Sequence, residues 1–126
     1  MKKTIYLAGP FLGCEDEEIY GWRQTIKSKL SEKYDFLDPA NRIGKGMSDE
    51  EIVEGDKRDI YLSDILLVNH TKPSDGTAME ILFAWDYDVN IITITNDHEV
   101  SPWIKYHSTN LFKSIDEVIS YLIVKK

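Results

Sequence analysis

The chain has 126 residues and a formal charge of −7, with 42% hydrophobic and 29% charged residues. That is an ordinary globular composition and enough chain for one domain, 1–126, with its own core. The acidic balance argues against a nucleic-acid polymer as ligand, no apolar run nears the ~20 residues that span a bilayer, and the single Cys14 excludes an internal disulfide and fits a reducing cytoplasm.

In chain order, residues 4–8 (TIYLA) read as a buried strand ended by Gly9-Pro10, and the lysines before it do not make a signal peptide. Residues 15–33 read as an amphipathic helix with Ile19, Trp22, Ile26 and Leu30 on one stripe, acidic at its start and basic at its end. Residues 34–37 form a short second strand closed by Asp38-Pro39, and 41–47, with two glycines and two basic residues, form a loop near the ligand edge. Ser48 with Glu51 opens a helix to about Ser63, with Ile52, Ile60 and Leu62 among its apolar positions.

Residues 64–70 (DILLVNH) are the third strand and 77–88 the third helix, with the turn Pro73-Ser74-Asp75-Gly76 between them. Residues 90–95 (NIITIT) are a fourth strand, rich in β-branched side chains. Residues 96–109 are less regular, 111–112 make a short last strand, and Ser114 with Glu117 boxes a final helix holding Val118, Ile119 and Leu122. Alternating strands and helices predict an α/β fold: a single doubly wound, flavodoxin- or Rossmann-like sheet of about five mostly parallel strands with helices on both faces.

The stretch 72–85 (KPSDGTAMEILFAW) concentrates the chemistry, because a strand–turn–helix puts its turn where open α/β sheets bind ligands. Glu80 falls in the expected first helical turn, where N–H groups and the helix dipole favour an ionised carboxylate that can act as a nucleophile. Thr77 and Glu80 also have capping-box spacing, in which Glu80 would only reach back to the Thr77 N–H.

No G-x-G-x-x-G, P-loop or G-x-S-x-G pattern is present, and His70, His98 and His107 lack metal-ligand spacing. Carboxylates, a tyrosine, hydroxyls and a glycine turn remain, a set suited to glycosyl transfer at an oxocarbenium-like centre.

Three segments in order, Tyr6-Leu7-Ala8-Gly9-Pro10-Phe11, Asp56 eight positions before Asp64, and Pro73-Ser74-Asp75-Gly76-Thr77-Ala78-Met79-Glu80, resemble the nucleoside 2-deoxyribosyltransferase family. That family includes deoxynucleoside 5′-monophosphate N-hydrolases, and the resemblance runs from residue 4 to about 122. It implies that Glu80 attacks the anomeric carbon, Asp56 assists proton transfer to the departing base, and Tyr6 orients the Glu80 carboxylate. It also implies substrate contacts from Gly9, Pro10, Phe11, Ser74, Asp75 and Gly76. Ser101 and Trp103 match residues that a neighbouring subunit contributes, so a homodimer or larger assembly is implied. Arg23, Arg42 and Lys45 are candidates for phosphate or base contacts.

Read without the resemblance, each has a plainer role. Tyr6 is a core tyrosine, Asp56 a solvated helix residue, Ser74 and Asp75 turn formers, Trp103 a buried anchor, and the basic residues solvated charges. Asp64 fixes backbone at a strand start.

The implied reaction is cleavage of the N-glycosidic bond of a 2′-deoxynucleoside or its 5′-monophosphate through a glycosyl-Glu80 intermediate. The sugar passes to another nucleobase or, alternatively, to water. No metal or organic cofactor is required. Ser74 stands where many transferases carry an acid, and 124–126 (VKK) end the chain where some place a substrate-side segment; both lean toward a site that admits a 5′-phosphate. A nucleotide-binding module without turnover is the reading from another class, and it would need no Glu80–Asp56 carboxylate pair.

Overall fold

The computed structural model describes residues 1–96 and 99–126; His98 lies outside the described residues. Five parallel strands form one sheet in the order β2-β1-β3-β4-β5: β1 (Lys3–Ala8), β2 (Tyr34–Leu37), β3 (Ile65–Asn69), β4 (Asn90–Ile94) and β5 (Asn110–Phe112). Every adjacent pair is parallel, so the expected mostly parallel sheet is wholly parallel among the described residues.

The helices are α1 (Asp16–Leu30), α2 (Pro39–Arg42), α3 (Asp49–Tyr61), α4 (Asp75–Asp86), α5 (Pro102–His107) and α6 (Ile115–Val124). Side chains alternate across a strand, so β1 serves two cores at once. Ile5 and Leu7 pack with Trp22, Ile26 and Leu30 of α1 and Val118 and Leu122 of α6. Tyr6 and Ala8 face the other way, against Ile60 of α3, Ile81 and Ala84 of α4, and Ile104 of α5. β3 is buried at all five positions, which is why its first four residues, Ile65 to Val68, are an unbroken apolar run rather than an alternating one. Burying one such Ile or Leu contributes about 1.5–3 kcal/mol.

Two expected loops hold short helices. Asp38 caps α2 by accepting from the Ala40 N–H, with Pro39 in the first turn, so Arg42 ends a helix rather than lying in a loop. Ser101 caps α5 in the same manner with Pro102 behind it. Leu62 is exposed, beyond the end of α3, not part of its apolar face. Asp64 has its expected role: its Oδ2 accepts from the Thr4 N–H at 2.8 Å, tying the starts of β1 and β3 together.

The chain leaves β1 for β2 on one side and returns to β3 on the other. That reversal falls at the carboxyl ends of β1 and β3, the place where such sheets bind ligands. No helix among the described residues is long and apolar enough to cross a membrane.

Candidate active site

The carboxyl ends of β1 and β3 gather Tyr6 from β1, Glu80 from α4, Asp56 from α3 and Arg42 from the end of α2. The Tyr6 hydroxyl donates to Glu80 Oε2 at 2.6 Å, a bond that joins residues 74 positions apart. Tyr6 is fully buried. Burial and then the charges of Glu80 and Asp56 raise its phenol far above the ordinary range, so it stays a donor.

Glu80 is not a cap. Ser74 caps α4, accepting from the Thr77 N–H at 3.3 Å, and the helix starts at Asp75. Glu80 therefore lies in the second turn, past the free N–H groups that the expected start at Thr77 would have given it. The expected ionised carboxylate is corrected in the same way. Burial pushes the Glu80 acid up to about 7 and Asp56 adds to the rise; the Tyr6 hydrogen bond and the positive charges of Arg23 and Arg42 pull against it. Glu80 is thus balanced between its two forms near neutrality.

Asp56 does not point freely into solvent. Its Oδ1 is paired with Arg42 Nη2, and Arg42 Nε donates to Asp59 Oδ2 at 3.0 Å. Asp59, three residues along α3, also accepts from Arg58 Nε at 3.1 Å. Burial disfavours the Arg42 charge, but the bonds to Asp56 and Asp59 outweigh it and hold the guanidinium above its ordinary value. Arg42 is therefore engaged with carboxylates, not a solvated charge.

Arg23 likewise departs from the solvated reading. It is 1% exposed, between the rings of Phe11 and Trp22 at 4.7 and 4.8 Å. Its Nη1 pairs with Asp38 Oδ1 and its Nη2 donates to the Gly9 carbonyl, each at 3.4 Å. Burial lowers its pKa against the pull of Asp38, Tyr6 and Glu80. The signal in the sequence was its place on the α1 stripe, between Trp22 and Ile26, where a solvated charge does not belong. Gly9 is part of the same packing: a Cβ there would stand 2.8 Å from Trp22 Cζ2. Lys45 is exposed, and no contact ties it to this cluster.

Ser74, Asp75 and Gly76 open α4 directly beyond β3, with Ser74 partly buried and the other two exposed. Behind them Thr77 is 1% exposed, and its hydroxyl has no hydrogen-bond partner. Pro10 is buried and Phe11 partly buried at the end of β1. Ser101 and Trp103 are not joined to this group. They lie on α5, Ser101 spent as a cap and Trp103 70% exposed with its ring stacked 6.0 Å from His107, so Trp103 is no buried anchor.

No protein-family model matches the sequence, and no curated protein matches it. Solved structures do match the fold. A 2-deoxyribosyltransferase from Bacillus psychrosaccharolyticus aligns over 94% of this chain and 91% of its own, at TM-score 0.77 and 20% identity. The CMP N-glycosidase BcmB of Clostridium botulinum aligns over 98% and 100%, at TM-score 0.73 and 19% identity. A conserved protein from Enterococcus faecalis V583 aligns over 95% and 96%, at TM-score 0.76 and 15% identity. The chain therefore shares its fold with solved members of the nucleoside 2-deoxyribosyltransferase family, the family its motifs resemble.

Proposed function

We propose that the protein cleaves the N-glycosidic bond of a 2′-deoxynucleoside 5′-monophosphate or its nucleoside, with Glu80 as the nucleophile. The observation that carries this reading is the 2.6 Å hydrogen bond from Tyr6 to Glu80 at the carboxyl ends of the strands, with Asp56 acting on the same carboxylate. As the C1′–N bond breaks, its electron pair goes to the base nitrogen. A Glu80 oxygen forms the new bond to C1′, and a proton drawn from solvent reaches the base by way of Asp56. A carboxylate offsets the positive charge that builds on the sugar, and splitting the reaction at a glycosyl-Glu80 ester replaces one hard step by two easier ones. Transfer of the sugar to a second base, or to water, then frees Glu80 with net retention.

The start of α4 supports a 5′-phosphate on the substrate. Helix N-termini attract phosphate, Gly76 leaves the first turn uncovered, and the Thr77 hydroxyl behind it lacks a partner. The exposed Asp75 opposes this and confines a phosphate to the Ser74 side. With an uncharged Ser74 at this position, hydrolysis of monophosphates is the second reading beside transfer.

Ser101 and Trp103 serve the site in a pair of chains. They share α5 and the outer face of α4 with exposed Met79, Leu82, Trp85 and Tyr106, an apolar face suited to a second copy. One experiment covers these points. Deoxynucleosides and their monophosphates are incubated with and without an acceptor base, and free base and exchanged product are separated by chromatography. Base release from monophosphates in excess of nucleosides is expected, from a preparation that sediments as a dimer or larger. No release from any of them would overturn the enzymatic reading, and a fully active monomer would overturn the shared site.

A further inference from the structure

We infer that Gly55 is a positioning residue: its bare Cα lets the Arg42 guanidinium lie across α3 and hold Asp56 at the angle that serves the departing base. This rests on the glycosidic reading above. A Cβ at Gly55 would stand 2.5 Å from Arg42 Nη1 and 3.0 Å from Cζ, so no other residue permits the present seat of that guanidinium. Gly55 is buried inside α3, where glycine is the costly choice and alanine would favour the helix. A helix that keeps glycine there gains something other than helical stability. What it gains is visible in the contacts. Arg42 bridges Asp56 and Asp59 on one face of α3, and its Nη1, pressed on Gly55, is buried with no hydrogen-bond partner. Leaving a buried N–H unpaired opposes folding, so the bridge is held by its two carboxylates against that cost. One Asp56 oxygen is thereby fixed by Arg42, and the other is left to face the base.

The test is Gly55→Ala, read on two substrates and by one measurement without substrate. The Arg42 guanidinium ends a flexible side chain, so the variant folds with it displaced. Its Nε–H signal in the NMR spectrum, slowly exchanging in the parent through the Asp59 bond, exchanges faster in the variant. With a natural purine or pyrimidine as leaving group, kcat falls by about 10²-fold with KM little changed, the range expected for a misplaced proton donor. With a 4-nitrophenyl deoxyriboside 5-phosphate, whose nitrophenolate departs without a proton, kcat stays within about threefold of the parent. Equal losses on both substrates, no loss on either, or an unchanged Arg42 signal would overturn the role of Gly55. A parent protein that cleaves neither substrate would overturn the glycosidic reading instead, and the Arg42 signal would still decide whether Gly55 seats the guanidinium.

Discussion

At the scale of single residues, Glu80 turns on a balance between burial and neighbours. Burial and Asp56 favour its neutral form, while Tyr6, Arg23 and Arg42 favour the anion, and the outcome is a pKa of about 7. Since a nucleophile must be ionised, kcat/KM is expected to rise with pH through about 7, the free-enzyme value, and level off above it. Tyr6→Phe removes a bond that favours the anion, so the midpoint moves upward and the rate at neutral pH falls. A profile that is flat across this range, or a midpoint that moves downward in the variant, would contradict this. The same raised pKa opposes stability. The folded protein keeps a proton that the unfolded chain has lost, so stability at this site is full below the ordinary value of 4.5 and declines as pH rises through about 7. Of these residues, Tyr6, Asp56 and Glu80 were legible through their motifs. The engagement of Arg23 and Arg42 was not, because an ion pair between distant segments leaves no periodic trace. Only the place of Arg23 on an apolar stripe hinted at it.

Among the elements, α4 joins fold to chemistry. Its start was misplaced by two residues in the sequence because Ser74-Thr77 and Thr77-Glu80 both have capping spacing. The structure uses the first pair and so frees Glu80 for Tyr6. The inner strands β1, β3 and β4 were legible because strands of a parallel sheet that are covered on both faces read as apolar runs. α2 and α5, at four and six residues, are too short to show a helical period. Asp38-Pro39 and Ser101-Pro102 nonetheless carried the signature of a cap followed by proline. The role of α4's first turn is tested with Ser74→Ala. Loss of the cap costs about 1 kcal/mol of stability for any substrate. If Ser74 also meets a 5′-phosphate, KM for monophosphates rises about tenfold, roughly 1.4 kcal/mol, and KM for nucleosides stays nearly constant. Equal changes for both would leave Ser74 as a cap alone.

For the whole molecule, the sheet order puts the point of reversal between β1 and β3, and Tyr6, Arg42, Asp56 and Glu80 each reach it from a different segment. Tyr6 is rigid on a central strand, Glu80 and Asp56 ride on helices packed against each other, and α5 presents its aromatic face outward. That arrangement holds the Glu80 carboxylate against Tyr6 at the strand ends with Asp56 beside it, a carboxylate pair that a binding module would not need. The most direct measurement is mass spectrometry of the protein quenched during turnover of a deoxynucleoside monophosphate. A mass gain of one deoxyribosyl phosphate group on the peptide that holds Glu80 is expected, with base release in Glu80→Ala lowered about 10³-fold or more in a folded protein. Base release that proceeds undiminished in Glu80→Ala, or turnover with the added mass on another residue, would contradict Glu80 as the nucleophile.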